Sequence, residues 1–460
     1  MTQTTTRSAV PANRLEQHIE DFKPPLSDAQ ALAESHRCLY CYDAPCVQAC
    51  PTEINIPEFI RRIATGNVRG AAKTILEANI LGHSCARVCP VEVLCAGSCV
   101  YNEKEEPPIM IGKLQRYATE YAYEKGIEFF KPGPATGKRV ALIGAGPASL
   151  AAAAELRIRG HETVILEGRS VSGGLNATGV APYKYKLEDA LKEVAFIQRL
   201  GVEIRENTLV GRDVNLTDLA SEYDAVFLGV GLGPDSQPGV PGEDKPGCVG
   251  AVHLIERIKT EPGFKLQGVT HAAVIGGGNT ALDVVRELKQ LGVPCVFLVY
   301  RRDEASMSGY AHELEAARLE GVEVRFNSAP LEVVGEGHVT GLRCVATRLG
   351  APDANGRQSL EQIAGSEFVL PAELVVKATG QEKLSAFLGA IPGVKVDKGR
   401  VVVDQATGQT GNPKFFAGGD CANGGKEVVN AAAEGKRAAR GIDAFLRHGA
   451  PNADFHVTIK

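Results

Sequence analysis

Eight of the twelve cysteines in this 460-residue chain fall between residues 38 and 99. They read Cys38-x2-Cys41-x4-Cys46-x3-Cys50-Pro51 and then Cys85-x3-Cys89-Pro90-x4-Cys95-x3-Cys99. Thiols this crowded can cross-link, bind zinc or bind iron–sulfur clusters. Disulfides need an oxidising compartment, and the opening residues MTQTTTRSAVPANRLEQHIEDF hold no apolar stretch of an export signal. Zinc sites usually pair two Cys-x2-Cys half-sites, whereas here one such pair is followed by four- and three-residue gaps. The spacing therefore points to iron–sulfur clusters. Cysteine arithmetic alone would use all eight, four to each of two clusters.

A second kind of chemistry is written in glycine. The stretch RVALIGAGPASLAAAAELRIRGHETVILEG reads as buried strand, glycine turn, helix and second strand. Gly144, Ala145, Gly146, Pro147 and Ala148 form the turn, and the helix that follows offers free amides to a pyrophosphate. Glu167, at the end of the second strand, falls where a carboxylate can accept from a ribose hydroxyl. The pattern recurs in THAAVIGGGNTALDVVRELKQLGVPCVFLVYRR, with Gly276, Gly277, Gly278, Asn279 and Thr280 at the turn. There the second strand ends in Arg301 and Arg302, which suit a 2′-phosphate as a carboxylate does not. The first site is thus expected to bind FAD and the second NAD(P)H, with the arginines favouring NADPH. Two later segments fit a flavin enzyme. ELVVKATG is expected as a strand ending in a turn at Ala378 and Gly380. Gly419 and Asp420 precede a helix starting near Val428, so the aspartate can meet the ribityl chain and the helix N-terminus can face the flavin ring.

The elements that position these residues follow from periodicity. A helix is expected over Ser27–Arg37, capped by Ser27 or Asp28, and amphipathic helices are expected over 56–79. A further helix over Gly112–Lys125 carries Gln115, and KPGPATGK reads as a linker. The fold class is α/β, with two Rossmann-like nucleotide-binding domains behind an α-helical iron–sulfur domain. Expected boundaries are 1–135 for the helical domain, 136–240 and 376–460 for a discontinuous FAD domain, and 241–375 for the NAD(P) domain. A formal charge of -5 argues against nucleic-acid partners, and no long apolar run marks a membrane span. A cytoplasmic protein is expected.

The residues from about Arg37 to Leu446 resemble the flavin-containing electron-entry subunits of bacterial dihydropyrimidine dehydrogenase and the matching part of the animal enzyme. CLYCYDAPCVQACP, GAAKTILEANILGHSCARVCPVEVLCAGSC and IGKLQRYATE carry the likeness. The small subunit of glutamate synthase is similar in architecture, but has glutamate at the motif position of Gln115. The resemblance implies one [4Fe-4S] cluster on Cys38, Cys41, Cys46 and Cys99, and another on Cys50, Cys89, Cys95 and Gln115, leaving Cys85 spare. It also implies flavin contacts at Val88, Gly146, Ala148, Gly174, Leu175, Lys184 and Val210. The family's Ile-Pro-x-Phe-Arg-Leu-Pro segment reads VAPYKYK here, with Lys184 in the arginine's place, and an arginine of the animal enzyme near the 2′-phosphate is Ser308, which counts against NADPH.

The mechanism implied is hydride transfer from NAD(P)H to FAD and single-electron exit through the clusters, which requires orientation and no side-chain acid or base. Cys248, Cys295, Cys344 and Cys421 are isolated, so no redox disulfide is expected beside the flavin. No segment remains for a pyrimidine site. An FMN-containing partner subunit that reduces uracil and thymine is therefore expected, in a hetero-oligomer. The rivals are a glutamate synthase small subunit, an electron donor to another reductase or a ferredoxin, and a zinc-dependent scaffold with vestigial nucleotide folds.

Overall fold

The computed structural model describes residues 10–352 and 358–451. Five principal helices precede the first strand: α1 (Asp28–His36), α2 (Ile56–Ala64), α3 (Val68–Ala78), α4 (Gly82–Val88) and α5 (Ile111–Glu124). The start of α1 is fixed by a reciprocal cap, Ser27 accepting from the Gln30 amide while the Gln30 side chain accepts from Ser27. Helices α2 and α3 open on Asn55 and Asn67, whose side chains accept from the Glu58 and Gly70 N–H groups. Ile56, Phe59, Ile60, Ile63, Ala71 and Ile75, the periodic residues of the sequence, meet Leu114 and Ala118 of α5 in one buried core that also contains Cys50 and Cys85.

The chain then lays down β1 (Arg139–Ile143), α6 (Pro147–Ile158), β2 (Glu162–Leu166), α7 (Leu187–Gln198), β3 (Glu203–Arg205) and β4 (Ala225–Leu228). There follow β5 (Cys248–Gly250), β6 (His271–Ile275), α8 (Asn279–Gln290), β7 (Cys295–Val299) and β8 (Glu323–Arg325). Strands β9 (Ser328–Val334), β10 (Gly341–Pro352), β11 (Gln358–Gln362) and β12 (Phe368–Pro371) make an antiparallel sheet. Then come β13 (Leu374–Lys377), β14 (Phe415–Ala417) and α9 (Val428–His448). Two parallel sheets result, ordered β14-β4-β1-β2-β3 and β5-β13-β6-β7-β8. In each, the glycine turn follows the central part of the sheet, where strand order reverses and α/β folds receive ligands.

The residues sort into two compact units. One comprises Lys23–Ala177, Leu187–Leu232 and the described residues 383–451, uniting the helices around the cysteines with the first sheet. Helix α9 does the joining: Val428 packs against both the cysteine-bearing core and the core of the first sheet, and Val429 is buried in the former. The other unit comprises the described residues 10–22, Thr178–Lys186 and Gly233–Glu382. Around residue 376, where the return to the FAD domain is expected, β13 pairs with β5 and β6 inside the second sheet and Ala378 donates its N–H to Ile275. No helix among the described residues is long and apolar enough to cross a membrane.

Candidate redox site

The sulfurs fall into two groups. Cys38, Cys41, Cys46 and Cys99 wall one cavity, closed by Ile56, Ile60, Ile109 and Ile111. Tyr40, between the first pair, adopts φ of 50°, and its hydroxyl donates to the Ser35 carbonyl, which turns the chain so that Cys38 and Cys41 face the same space. Burial pushes the Cys46 thiol up to about 12. Among the described residues no three His, Cys, Asp or Glu side chains converge as they would on a single metal ion. The sulfurs border a space instead, and four soft ligands around an apolar cavity fit a cubane cluster.

In the second group, Cys50 and Cys95 feel each other's charge, and burial drives the Cys95 thiol up to about 12. Cys89 is raised well above the ordinary thiol range, first by its hydrogen bond with Cys85, then by burial. Cys85, spare by resemblance, is thus the direct neighbour of Cys89, and its sulfur accepts from Asn79 Nδ2 at 3.2 Å. Gln115 is buried on α5, and its Nε2 donates to the Gly82 carbonyl at 2.8 Å. The donor set of this group also suits an iron–sulfur cluster, with Cys85 beside Cys89. Val88 ends the helix that carries Cys85.

The flavin fingerprint lies in the same compact unit. Gly144 has φ of 88°, and a Cβ there would stand 2.7 Å from the Gly229 carbonyl oxygen at the end of β4. Gly146 caps α6, with Pro147 as its first residue and Ala148 next. A Cβ on Gly174 would meet the Gly146 Cα at 2.7 Å, so the loop entering Leu175 presses on the turn. Glu167 accepts from the Ala145 N–H at 2.7 Å and from the Arg169 N–H at 2.8 Å, which ties the end of β2 to the turn. Val210 is buried beneath the first sheet, after a chain return in which Thr208 donates to Glu167 O. These features make the cradle with free helix amides that an FAD pyrophosphate requires. Burial raises the Asp420 carboxyl, whose oxygen accepts from the Lys426 N–H. Glu434, which sequence reasoning missed, clamps the turn before it by accepting from the Gly419 N–H at 2.7 Å.

Beside these groups runs a polar layer that no motif announced. Glu193 of α7 is fully buried, accepts from the Ser84 N–H at the start of α4, and is pushed up to about 7 by that burial. Arg87 meets His83 at 2.7 Å and Asp189 at 3.4 Å, and also Glu120. Its only trace in the sequence is a set of charged residues on otherwise apolar helix faces.

The second fingerprint repeats the first in chemistry. A Cβ on Gly276 would meet the Ala378 carbonyl oxygen at 2.4 Å, and one on Gly277 the Tyr300 ring at 2.4 Å. Gly278 caps α8, whose first residues are Asn279 and Thr280. Arg301 and Arg302 follow β7 and are exposed, while Ser308 donates to Gly277 O at 3.3 Å. The Gly380 carbonyl accepts from Ser236. Lys184, expected among the flavin contacts, belongs to this second unit. Its Nζ lies 2.7 Å from Asp283 and 2.8 Å from Glu313. Burial works against the lysine's charge, but these carboxylates outweigh it and raise its pKa. All twelve cysteines are free. Cys421, beside Asp420, donates to Leu228 O and is pushed by burial up to about 12, so it is no ready thiolate.

Comparison with known proteins agrees with this arrangement. Residues 14–127 match the family model "dihydropyrimidine dehydrogenase domain II, 4Fe-4S cluster", and residues 138–435 match "pyridine nucleotide-disulphide oxidoreductase". The chain is 40% identical over 445 residues to the glutamate synthase [NADPH] small chain of Escherichia coli K12, covering 93% of this chain and 94% of that one. It is 34% identical over 430 residues to the NAD-dependent dihydropyrimidine dehydrogenase subunit PreT of the same organism, covering 93% and 97%. Its fold is like that of Mycobacterium tuberculosis FprA in complex with NADPH, at TM-score 0.55 and 23% identity over 68% of this chain and 85% of that one. The chain belongs to the family of glutamate synthase small subunit and PreT-like FAD-dependent oxidoreductases, which join a 4Fe-4S domain to a pyridine nucleotide-disulphide oxidoreductase fold.

Proposed function

We propose that this chain is the electron-entry subunit of an NAD(P)-dependent dihydropyrimidine dehydrogenase, serving an FMN-containing partner that reduces uracil and thymine. Gln115 carries this finer reading. Its amide nitrogen donates to the Gly82 carbonyl at 2.8 Å, a bond that an ionised glutamate could not make, and its oxygen remains the end suited to iron. Bound FAD would supply acceptance of a hydride from NAD(P)H, and two bound [4Fe-4S] clusters would supply one-electron transfer onward.

The chain's own part is to hold and orient. Gly144 to Ala148 and the α6 amides receive the FAD pyrophosphate, Glu167 fixes the turn and faces the ribose, and Asp420 meets the ribityl chain. Gly277 to Thr280 receive the nicotinamide nucleotide, with Arg301 and Arg302 toward a 2′-phosphate. Cys38, Cys41, Cys46 and Cys99 hold one cluster, and Cys50, Cys89, Cys95 and Gln115 the other. The joint packing of Val428 against both cores of its unit supports transfer from flavin to iron without a change of fold.

A second reading is the glutamate synthase small subunit, favoured by the 40% identity to such a chain. Anaerobic purification of the native complex and identification of its second polypeptide decides between them. The expected result is uracil-dependent oxidation of NAD(P)H by the complex. Formation of glutamate from glutamine and 2-oxoglutarate would overturn the proposal in favour of the second reading.

A further inference from the structure

A polar cavity of about 190 Å³ lies beyond the Gly419–Asp420 turn, bordered by Arg400, Lys426, Arg437, Asp404 and Glu434. Both acids are already committed. Asp404 Oδ1 accepts from the N–H groups of Ala406 and Thr407 at 3.0 and 2.9 Å and from the Thr407 hydroxyl at 2.8 Å. Glu434 accepts from the Gly419 N–H at 2.7 Å and from the Asn423 amide at 3.0 Å. The cations differ: among the described residues none of Arg400, Lys426 and Arg437 makes an ion pair or a side-chain hydrogen bond. The Arg400 stem lies against Gly424, where a Cβ would stand 2.9 Å from its Cδ. That glycine therefore makes room for the arginine at the cavity's edge.

We propose that this cavity is a binding site for a compact dianion, of phosphate or short dicarboxylate type, held by Arg400, Lys426 and Arg437. Two guanidinium groups supply paired donors in a plane and the ammonium adds a point charge, a combination matched to a small oxyanion. None of the residues of the flavin or nicotinamide fingerprints lines the cavity, so this is not a nucleotide phosphate site. Glu434 is shared between the cavity wall and the Gly419 clamp, so occupancy can be felt at the turn that carries Asp420.

The test is calorimetric titration of the cofactor-loaded full chain with inorganic phosphate and, separately, with succinate, at constant ionic strength. Saturable one-site binding of either probe is expected, and the preferred probe tells phosphate from dicarboxylate chemistry. Arg400→Ser with Arg437→Ser should weaken binding at least about tenfold, since each lost charged contact is worth about that factor. Flavin content and NAD(P)H oxidation should stay unchanged. If the double variant fails to load flavin, Lys426→Gln, at an exposed position, must still weaken binding. Absence of saturable binding of both probes, or unchanged affinity in the variants, overturns the proposal.

Discussion

Cys85 and Gln115 are the rival candidates for the last ligand of the second cluster, and their chemistry differs in what each can give to iron. Cys85 offers a thiolate but is engaged by Asn79 and Cys89, whereas Gln115 is pinned through its nitrogen to Gly82. If Gln115 completes the second cluster, Gln115→Leu should lower iron content toward half, and Cys85→Ala should keep full iron with at most a shifted electron paramagnetic resonance signal. The reverse pattern in anaerobic iron analysis would transfer the role to Cys85. Glu193 makes a different prediction. Its carboxyl titrates near 4.5 when free and at about 7 in the fold, because burial disfavours the charge. The folded state therefore binds the proton more tightly, so this group's contribution to stability falls as pH rises from about 4.5 through about 7. The difference amounts to on the order of 3 kcal/mol. Glu193→Gln keeps an acceptor for the Ser84 N–H and should flatten the fall in thermal midpoint between about pH 4.5 and 7. An equally steep fall in the variant would rule out Glu193 as its source.

At the scale of elements, α6 and α9 pack through alanines, and at Gly435 they lie too close for any side chain. A Cβ at Gly435 would stand 2.1 Å from the Ala148 carbonyl oxygen, and no rotamer change relieves a clash with backbone. Gly435→Ala should therefore destabilise by about 2 kcal/mol, despite alanine's better helix propensity, and should loosen flavin because Ala148 opens α6. Gly389→Ala, in a helix where a Cβ meets nothing within 4 Å, is the matched control and should be neutral or mildly stabilising. Thermal denaturation and flavin retention on gel filtration measure both. These elements were largely legible beforehand, because the glycine turns, the Ser27 cap and the isoleucine spacing of α2 are local statements about neighbouring residues. Lys184 was not. Its partners Asp283 and Glu313 are about a hundred residues away in the chain, and only the folded chain sets which charges meet. Glu434 and Glu193 escaped for the same reason, since an acid on an apolar helix face reveals nothing of the backbone N–H it will serve.

At the scale of the whole molecule, the sequence divides at its linkers but the fold divides elsewhere. The unit around the second sheet takes in the described residues 10–22 and Thr178–Lys186, both remote from its main segment. Their hold is specific. The Arg286 guanidinium sits over the rings of Phe22 and Tyr183, at 4.6 and 4.7 Å from their centroids, while Tyr183 donates to Asp283 at 2.9 Å. Arg14 and Glu16 are wholly buried in the same unit.

For anyone exchanging coenzyme preference among relatives by cut-and-paste, this interleaving sets the rules. Transplanting residues 233–382 as one cassette would strip Arg286 of its aromatic cover and leave Asp283 and Glu313 without the lysine that neutralises them. A workable graft carries three pieces of chain, and the short ones must travel with the long one.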